Sequence, residues 1–356
     1  MSRFSVRRLA AMKPYIPGEQ PQDRKYIKLN TNECPYPPSP RVLEVINNNE
    51  LSSLKLYPDP EAKVLREALA EYYGVKPSQV MVGNGSDEIL AFFFMAFCDE
   101  EKKVAFPDIT YGFYKVFAKL FGVDALQIPL REDFSIDVKD YIGIDRNIVI
   151  ANPNAPTGLY LPLEDIERIL RSNPDHLVLI DEAYIDFGGR SSIELLPKYD
   201  NLLICGTFSK SRALAGARLG YSIGTPEAIE DLNKIKFSFN PYNVNRLTLL
   251  AGKAAIEDRE YFEDCRAKVI ATREDTARRL KSLGFELTDS KANFLFARHP
   301  KLSGEECYLK LKEGGILVRY FDEPRTRDYV RITMGTPEEM KELMTYNNID
   351  RCIEVQ

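Results

Sequence analysis

Between residues 79 and 210 the sequence alternates short apolar segments with longer amphipathic ones, and this alternation limits the folds open to the chain. Apolar runs of this length are typical of buried strands, and the amphipathic runs are typical of helices. We assign strands to QVMVGNG, KKVAFPD, NIVIANPNAPTG, HLVLIDEAY and NLLICGTFSK, and helices to DEILAFFFMAF, TYGFYKVFAKLFG, PLEDIERILRSNP and SSIELLPKY. Repeated strand–helix–strand units predict an α/β fold with a mostly parallel sheet and helices on both of its faces.

After about residue 240 the pattern changes. A long charged helix, REYFEDCRAKVIATREDTARRLKSLG, is followed by the short strands ANFLFAR, GILVRYF and YVRITMG, which favours a smaller α+β domain. We therefore expect an N-terminal arm (1–40) that packs on the small domain, a large domain (41–240) and a small C-terminal domain (241–356). A chain of 356 residues is long enough for this division and for an enclosed active site.

Composition argues against several classes of function. A net charge of -5 with interspersed signs argues against a nucleic-acid or membrane partner. The six cysteines are scattered, form no C-x-x-C pair and are accompanied by only two histidines, which indicates reduced thiols in the cytoplasm and no metal site. The most apolar stretch, ILAFFFMAFC, is about half of the roughly 20 residues that a membrane span needs, so we expect a buried helix there.

Polar residues directly follow several of the predicted strands. The turn GNGSD follows VMV, Asn152 and Asn154 follow IVIA, Asp181 follows LVLI, and Lys210 follows NLLICGTFS. Because ligands of such folds bind at the carboxyl ends of the strands, these residues together predict a single site.

A lysine at a buried strand end indicates carbonyl chemistry. Burial destabilises its ammonium form, and the free amine attacks an aldehyde to form an imine. We interpret Lys210 in this way and expect a cofactor aldehyde as its target. Asp181 on a neighbouring strand can keep a pyridine nitrogen protonated, which makes the ring an electron sink, and Tyr184 can bond the phenolic oxygen of the ring.

We expect the phosphate of such a cofactor at the start of the helix after the first strand, where free N–H groups favour anions. Arg218 is expected to complete the anion site with bidentate hydrogen bonds. An aspartate beside a phosphate is unfavourable unless its carboxylate turns away, so we expect Asp87 to offer its N–H group and to turn its carboxylate elsewhere, for example to cap the helix. The remaining predicted phosphate contacts are Gly85, Ser86, Thr207 and Ser209.

The segments NPNAPTG, IDEAY and TFSKSRALAGARLGY resemble the signature regions of fold-type I pyridoxal-phosphate aminotransferases. The segments YIKLNTNECPYPPSP, LYPDP, GNGSDEIL, ANFLF and VRITMGT narrow the resemblance to the histidinol-phosphate aminotransferase branch, over nearly the whole chain. The resemblance implies that Lys210 binds pyridoxal 5′-phosphate covalently while Asp181 pairs with its pyridine nitrogen. It further implies that Tyr184 contacts the ring oxygen and that Tyr111 stacks on the ring. It also implies a homodimer, in which Tyr57 reaches the cofactor phosphate of the neighbouring subunit.

One position departs from the pattern of the family. The family string is N-P-N-N-P-T-G, in which the second of the adjacent asparagines contacts the ring oxygen, and this chain has Ala155 there. Either Tyr184 alone contacts that oxygen, or the Asn154 side chain turns toward the ring and contacts it as well.

The resemblance also implies a substrate. Arg331 matches the arginine that binds a substrate carboxylate in this family and, in this branch, also the substrate phosphate. Arg319 and Tyr15 match two further residues that contact that phosphate, and Asn32 is a further expected substrate contact. For Arg319 an exposed charge on an edge strand is the alternative. The implied reaction of histidine biosynthesis is a transamination between L-histidinol phosphate and 2-oxoglutarate that gives imidazole-acetol phosphate and L-glutamate. A threonine-phosphate decarboxylase and a broad aromatic aminotransferase share most of these motifs and stay open.

Overall fold

The structure of the protein is a computed structural model that describes residues 3–6 and 12–345. Parts of the predicted arm (1–2 and 7–11) and the last residues of the predicted small domain (346–356, with Cys352) lie outside the described residues. The helices, in chain order, are α1 (Pro40–Val45), α2 (Asn48–Ser52), α3 (Lys63–Tyr73), α4 (Ser86–Phe97), α5 (Phe113–Phe121), α6 (Leu163–Ser172), α7 (Pro226–Phe239), α8 (Arg246–Glu257), α9 (Arg259–Ser282), α10 (Gly304–Glu313) and α11 (Pro337–Leu343).

The strands are β1 (Ile27–Lys28), β2 (Val80–Gly83), β3 (Val104–Pro107), β4 (Ala125–Ile128), β5 (Asn147–Ala151), β6 (Val178–Asp181), β7 (Leu202–Thr207), β8 (Gly220–Ile223), β9 (Glu286–Leu287), β10 (Phe294–Arg298), β11 (Ile316–Leu317), β12 (Arg319–Tyr320) and β13 (Tyr329–Thr333). Short 3₁₀ helices cover Ser53–Lys55, Pro77–Gln79, Val138–Tyr141, Ile185–Phe187, Ser192–Leu195 and Ala215–Ala217.

A seven-stranded sheet in the order β2-β8-β7-β6-β5-β3-β4 is the largest sheet of the structure. Its strands run parallel except for β8, which lies antiparallel between β2 and β7. Successive side chains of a strand point to opposite faces, so each strand contributes to two buried layers. Helices α3, α6 and α8 pack against one face, and α4, α5 and α7 pack against the other. The predicted α/β fold, with its mostly parallel sheet, is confirmed.

A second sheet consists of four antiparallel strands in the order β12-β13-β10-β9. Helices α9, α10 and α11 contribute buried side chains to the core beside it. Strand β1 pairs in parallel with β11 through Ile27 and Ile316, and Leu29 is buried in the same core. The described part of the arm is therefore attached to the C-terminal part of the chain.

Two of the expected elements have a different form in the structure, and strands β4 and β8 were not expected. The expected helix SSIELLPKY is reduced to the 3₁₀ helix Ser192–Leu195, because Pro197 has no N–H group with which to continue the helical hydrogen bonds. The expected strand GILVRYF is divided into β11 and β12, which pair with different partners, β1 and β13.

Helix α8 begins after the expected domain boundary at residue 240, yet it packs on α1 and α3 beside the seven-stranded sheet. The division into an arm and two domains stays a prediction. The apolar stretch Ile89–Cys98 belongs to α4 and its end, and much of it is buried in the core, as expected. None of the helices within the described residues combines the length and the apolar character that crossing a membrane requires.

Candidate active site

Strands β5, β6 and β7 end side by side, at Ala151, Asp181 and Thr207. The register of the sheet pairs Ala151 directly with Asp181. Strand β8 runs in the opposite direction and begins at this same edge. The loop between β7 and β8, which carries Lys210 and Arg218, therefore leaves and re-enters the sheet where the polar strand ends meet.

A cavity of about 540 Å³, partly open to solvent, lies at this edge of the sheet. The residues that line it are Ser86, Asp87, Tyr111, Ala151, Ala155, Asp181, Ala183, Tyr184, Thr207, Ser209, Lys210 and Arg218. The predicted site residues that lie outside this lining are Gly85, Asn154, Tyr57, Tyr15, Asn32, Arg319 and Arg331.

The cavity is positively polarised at the start of α4. Gly85 is the N-cap of this helix and has a left-handed φ of +81°, and the first N–H groups of a helix, beginning at Ser86, have no partner within it. A Cβ atom added at Gly85 would lie 2.6 Å from Nη2 of Arg218, so the glycine lets the guanidinium rest against the turn. Thr207 Oγ1 accepts a hydrogen bond from the Ser209 N–H at 3.1 Å, which places both hydroxyl-bearing residues on the adjoining wall.

Asp87 does not cap the helix, and the suggestion that it does is wrong. The N-cap position belongs to Gly85, and the Asp87 side chain extends along the cavity wall. Its Oδ1 accepts a hydrogen bond from Tyr111 Oη at 2.7 Å, and its Oδ2 accepts one from Arg218 Nη2 at 3.1 Å. The carboxylate thus holds an arginine and a tyrosine side by side on that wall.

Asp181 is the most deeply buried acid of the cavity, with 4% of its surface exposed. Its Oδ2 accepts a hydrogen bond from Tyr114 Oη at 2.8 Å, and its Oδ1 accepts one from the N–H of Ala183 at 3.2 Å. Burial raises the pKa of this carboxyl to about 6, although Tyr114 and Ala183 partly oppose the rise. A cation placed against Asp181 would stabilise its charged form.

Lys210 and Tyr184 face each other across the cavity. Lys210 Nζ lies 5.8 Å from the centroid of the Tyr184 ring and donates a hydrogen bond to the carbonyl oxygen of Thr31 at 3.3 Å. Tyr184 Oη accepts a hydrogen bond from Asn32 Nδ2 at 2.8 Å. Both partners belong to the arm, so the arm adjoins the two residues. The geometry gives Asn32 a contact with Tyr184, and its predicted contact with the substrate stays a prediction.

Asn154 is buried beside the cavity but is turned away from it. Its Nδ2 donates hydrogen bonds to the carbonyl oxygen of Ile109 at 3.0 Å and to Thr157 Oγ1 at 3.1 Å. Its Oδ1 accepts a hydrogen bond from Thr110 Oγ1 at 2.8 Å. The neighbouring Ala155 lines the cavity instead. Of the two alternatives left open by the sequence, the geometry favours the one in which Tyr184 acts without Asn154.

Two arginines and a tyrosine lie together beyond Tyr184. Arg319 and Arg331 are direct cross-strand neighbours on β12 and β13. Burial raises the pKa of the Tyr15 phenol, and the nearby positive charges of Arg319 and Arg331 oppose that rise. Like charges directly opposite each other on a sheet are destabilising, so this arrangement favours the binding of an anion.

Among the described residues, Arg331 has one hydrogen-bond donor without a partner, and Arg319 donates its hydrogen bonds to the arm. Arg331 Nη2 donates to the carbonyl oxygen of Asn30 at 3.1 Å, and its buried Nε has no hydrogen-bond partner among the residues that the structure describes. Arg319 donates to the carbonyl oxygens of Ile16 and Pro17, at 2.9 and 3.1 Å. Arg319 is therefore engaged with the arm beside Tyr15, although β12 is an edge strand.

Tyr57 is not brought to the cavity of its own chain. Its side chain is 80% exposed and stacks on Tyr242, with ring centroids 4.5 Å apart. The exposed apolar side chains Leu54, Leu56 and Phe239 belong to the same two chain segments. An exposed position of Tyr57 is compatible with its predicted contact to a second subunit, which stays a prediction.

Sequence reasoning missed Tyr114, which donates to Asp181. Its signal was present, because Tyr111 and Tyr114 are three residues apart in the expected helix TYGFYKVFAKLFG, a spacing that places side chains on the same face, although in the structure Tyr111 precedes α5. It also missed Thr31, whose contact with Lys210 uses only a backbone carbonyl oxygen, so no side-chain pattern could reveal it.

A lysine and an acid on adjacent strand ends of a mostly parallel sheet, with an anion-binding helix start beside them, define a fold-type I pyridoxal-phosphate-dependent transferase. The chain matches the aminotransferase class I and II family over residues 24–346. It is 51% identical over 353 residues to a histidinol-phosphate aminotransferase of Clostridium acetobutylicum, which covers 99% of this chain and 100% of the relative. It is also 52% identical to the histidinol-phosphate aminotransferase of Brachyspira hyodysenteriae, with 96% of each chain covered.

Solved structures agree with this assignment at the level of the fold. A histidinol-phosphate aminotransferase from Sinorhizobium meliloti, in complex with pyridoxal 5′-phosphate, superposes with a TM-score of 0.87 at 24% identity and covers 96% of each chain. A histidinol-phosphate aminotransferase structure from Clostridium acetobutylicum gives a TM-score of 0.81 at 26% identity, with 89% of this chain and 96% of that chain covered. The chain belongs to the class I and II aminotransferases, in their histidinol-phosphate aminotransferase branch.

The cofactor of this family is pyridoxal 5′-phosphate, and the cavity fits it. The free N–H groups at the start of α4 and the Arg218 guanidinium, admitted by Gly85, suit a phosphate. The buried Asp181, whose pKa burial raises, suits a cationic ring nitrogen. Lys210 suits an aldehyde, and the small side chains of Ala155 and Ala183 leave room for a flat ring.

Proposed function

We propose that the chain catalyses the pyridoxal-phosphate-dependent transamination of L-histidinol phosphate with 2-oxoglutarate, giving imidazole-acetol phosphate and L-glutamate, in histidine biosynthesis. The observation that carries this proposal is the cavity that joins Lys210 and Asp181 at adjacent strand ends, in a chain about half identical to two histidinol-phosphate aminotransferases over nearly its full length. The neighbouring pair of Arg319 and Arg331 supports an anionic substrate.

The residues that would hold the cofactor form two groups, one that binds its phosphate and one that binds its ring nitrogen. Ser86, through its N–H, and Arg218 would bind the phosphate, with Thr207 and Ser209 beside them. Asp181 would keep the ring nitrogen protonated, since its buried carboxylate is stabilised by a cation. The bound cofactor supplies an electron sink for the bond that breaks at Cα of the amino substrate.

The chain's own residues supply the proton transfers and the orientation. Lys210 Nζ would take the proton from Cα, because it is the amine of the cavity and faces the ring of Tyr184. Tyr184 would donate a hydrogen bond to the ring oxygen, and Tyr111, held by Asp87, would cover one face of the ring.

Both halves of the reaction require an anion site beyond the ring. Arg331 would hold the carboxylate of glutamate in one half-reaction and the phosphate of histidinol phosphate in the other. Arg319 and Tyr15 lie beside it and would add contacts to the more highly charged phosphate. Release of the Arg319 hydrogen bonds to Ile16 and Pro17 would free its guanidinium for this role.

A homodimer completes the proposal. The exposed stack of Tyr57 on Tyr242, with Leu54, Leu56 and Phe239 nearby in sequence, supports an interface at which Tyr57 contacts the partner's cofactor phosphate. We also propose a cytoplasmic location without nucleic-acid or membrane partners, which the net charge of -5 supports. The division into an arm (1–40), a large domain (41–240) and a small domain (241–356) belongs to the same proposal.

The decisive experiment incubates the holoprotein with histidinol phosphate and 2-oxoglutarate and measures glutamate. Glutamate formation without carbon dioxide supports the proposal. Release of carbon dioxide from threonine phosphate would instead establish a decarboxylase. A kcat/KM for phenylalanine equal to or above that for histidinol phosphate would establish a broad aromatic aminotransferase.

A further inference from the structure

Asn32 is buried at the junction of the arm and β13, and all its polar groups are engaged within the protein. It is 1% exposed and has a left-handed φ of +57°, a conformation that asparagine tolerates better than most residues. Its N–H donates to Thr333 Oγ1 at 3.0 Å, and its carbonyl oxygen accepts from Asn293 Nδ2 at 3.1 Å. These bonds fix the backbone of Asn32 and leave its amide to be oriented by its neighbours.

The hydrogen bond of Thr333 determines which way the Asn32 amide points. A threonine hydroxyl has one proton, and Thr333 Oγ1 already accepts the Asn32 N–H. Its proton is donated to Asn32 Oδ1, 3.0 Å away, which is the acceptor in hydrogen-bond contact with this hydroxyl among the described residues. With Oδ1 turned toward Thr333, the amide directs Nδ2 toward Tyr184. The reversed amide would leave the Thr333 proton without this acceptor.

This orientation determines the role of the Tyr184 hydroxyl. Asn32 Nδ2 can only donate, so Tyr184 Oη is the acceptor in the 2.8 Å contact between them. The phenolic proton of Tyr184 must then go to another acceptor. Within the described parts of the chain none is in hydrogen-bond contact with it, and Tyr184 lines the cavity. The proton is therefore available to a group bound in the cavity.

We propose that Asn32, oriented by Thr333, is a positioning residue that makes Tyr184 a hydrogen-bond donor to the ring oxygen of the cofactor. The arm thereby strengthens the one remaining contact to that oxygen, at the site where Ala155 provides none. This inference rests on the proposed function, because it requires the cofactor ring in the cavity. It assigns Asn32 an action through Tyr184 in place of direct contact with the substrate.

The test measures the pH at which the visible absorption of the bound cofactor changes. A hydrogen bond donated to the ring oxygen makes the nitrogen that links Lys210 to the cofactor less basic, because it stabilises the negative charge of that oxygen. Asn32→Gly removes the amide and tolerates the left-handed backbone. We expect it to raise the midpoint pH by about half a unit to one unit and to lower kcat about three- to tenfold.

The same measurement in a Tyr184→Phe background separates positioning from general support of the fold. There, Asn32→Gly should add nothing to the midpoint, because the hydroxyl it acts on is gone. An equal shift in both backgrounds, or no shift for Asn32→Gly while Tyr184→Phe shifts the midpoint, overturns the proposal. Asn30→Ala removes a buried amide of the same segment, whose one hydrogen bond within the described residues goes to the Glu19 carbonyl oxygen, and it should leave the midpoint unchanged.

A second pair of variants carries the test if Asn32→Gly does not fold. Thr333→Val removes the hydroxyl that orients the amide, and Thr333→Ser keeps it. The midpoint should rise for Thr333→Val and stay unchanged for Thr333→Ser, and equal midpoints refute the proposal. Failure of the proposed function is recognised separately, as absence of transamination of histidinol phosphate by the unmodified chain, because the spectral shifts require only bound cofactor.

Discussion

Asp181→Asn should stabilise the cofactor-free protein while it abolishes transamination. Burial raises the pKa of this carboxyl from 3.8 to about 6, so the folded protein pays for a charge that water would solvate freely. A difference of this size corresponds to about 3 kcal/mol above neutral pH. The asparagine removes this cost, but its Nδ2 cannot accept, so one of the hydrogen bonds from Tyr114 and Ala183 is lost at a cost of about 1 kcal/mol. We therefore expect a net gain of about 2 kcal/mol in the free energy of unfolding at about pH 8.

The pH dependence of this gain follows from the sign of the pKa change. Between about pH 4 and pH 6 the folded protein holds a proton on Asp181 that the unfolded chain has released, so stability falls as pH rises through this range. The cost is absent below about pH 4 and complete above about pH 7. The cost that Asp181→Asn removes should therefore be about half as large at about pH 5 as at about pH 8.

Urea unfolding of the cofactor-free parent and variant at these two pH values measures the effect. Asp175→Asn, which makes the same replacement at an exposed position, is the matched control. An advantage of Asp181→Asn that is the same at both pH values, or a variant less stable than the parent at the higher pH, would refute the reasoning. The loss of activity is expected because an amide cannot keep the ring nitrogen protonated.

Three further experiments with substituted proteins test other parts of the site. Gly85→Ala should weaken binding of pyridoxal 5′-phosphate about ten- to a hundredfold, because the new Cβ would lie 2.6 Å from Nη2 of Arg218, displace the guanidinium and strain a backbone with positive φ. Unchanged affinity in a fluorescence titration would contradict this. Arg319→Ala should lower kcat/KM about tenfold for histidinol phosphate and less for phenylalanine, and equal losses would remove its phosphate role. Mixed dimers of Lys210→Ala and Tyr57→Phe subunits should regain activity if Tyr57→Phe alone is defective, and failure to do so would place Tyr57 outside the partner's site.

The sequence predicted β2, β3, β5, β6 and β7 because these strands are buried and read as continuous apolar runs, whereas β8 and the partly exposed strand β4 were not predicted. HLVLIDEAY and NLLICGTFSK contain β6 and β7, and the position of Asp181 follows directly from where the first of these runs ends. Local sequence patterns predicted the wrong element where tertiary packing determines the structure of a segment. The segment around Ser192–Leu195 has helical periodicity but only one short turn, and GILVRYF is divided between two sheets by the arm.

The contacts of charged side chains were less predictable than their positions. Asp87 was correctly located at the start of α4, but its partners come from the segment before α5 and from the loop before β8, far apart in the sequence. Only the folded sheet brings Tyr111 and Arg218 to one carboxylate. The Asp87 carboxylate keeps the guanidinium of Arg218 at the cavity, and this offsets part of the cost of collecting positive charge there.

The replacement of the family's asparagine by alanine at position 155 shows why a motif alone does not define this site. Read locally, the alanine removes a hydrogen-bond donor, and Asn154 beside it is the obvious substitute. In the folded chain Asn154 is committed to Ile109 and Thr157, while Asn32, more than a hundred residues earlier, contacts Tyr184. The loss of a hydrogen-bond donor from the cavity wall can thus be offset by a neighbouring residue that directs the proton of a remaining donor into the cavity. Restoring asparagine at position 155 should therefore make the midpoint pH of the cofactor spectrum less sensitive to Asn32→Gly, since the ring oxygen would again have a second donor.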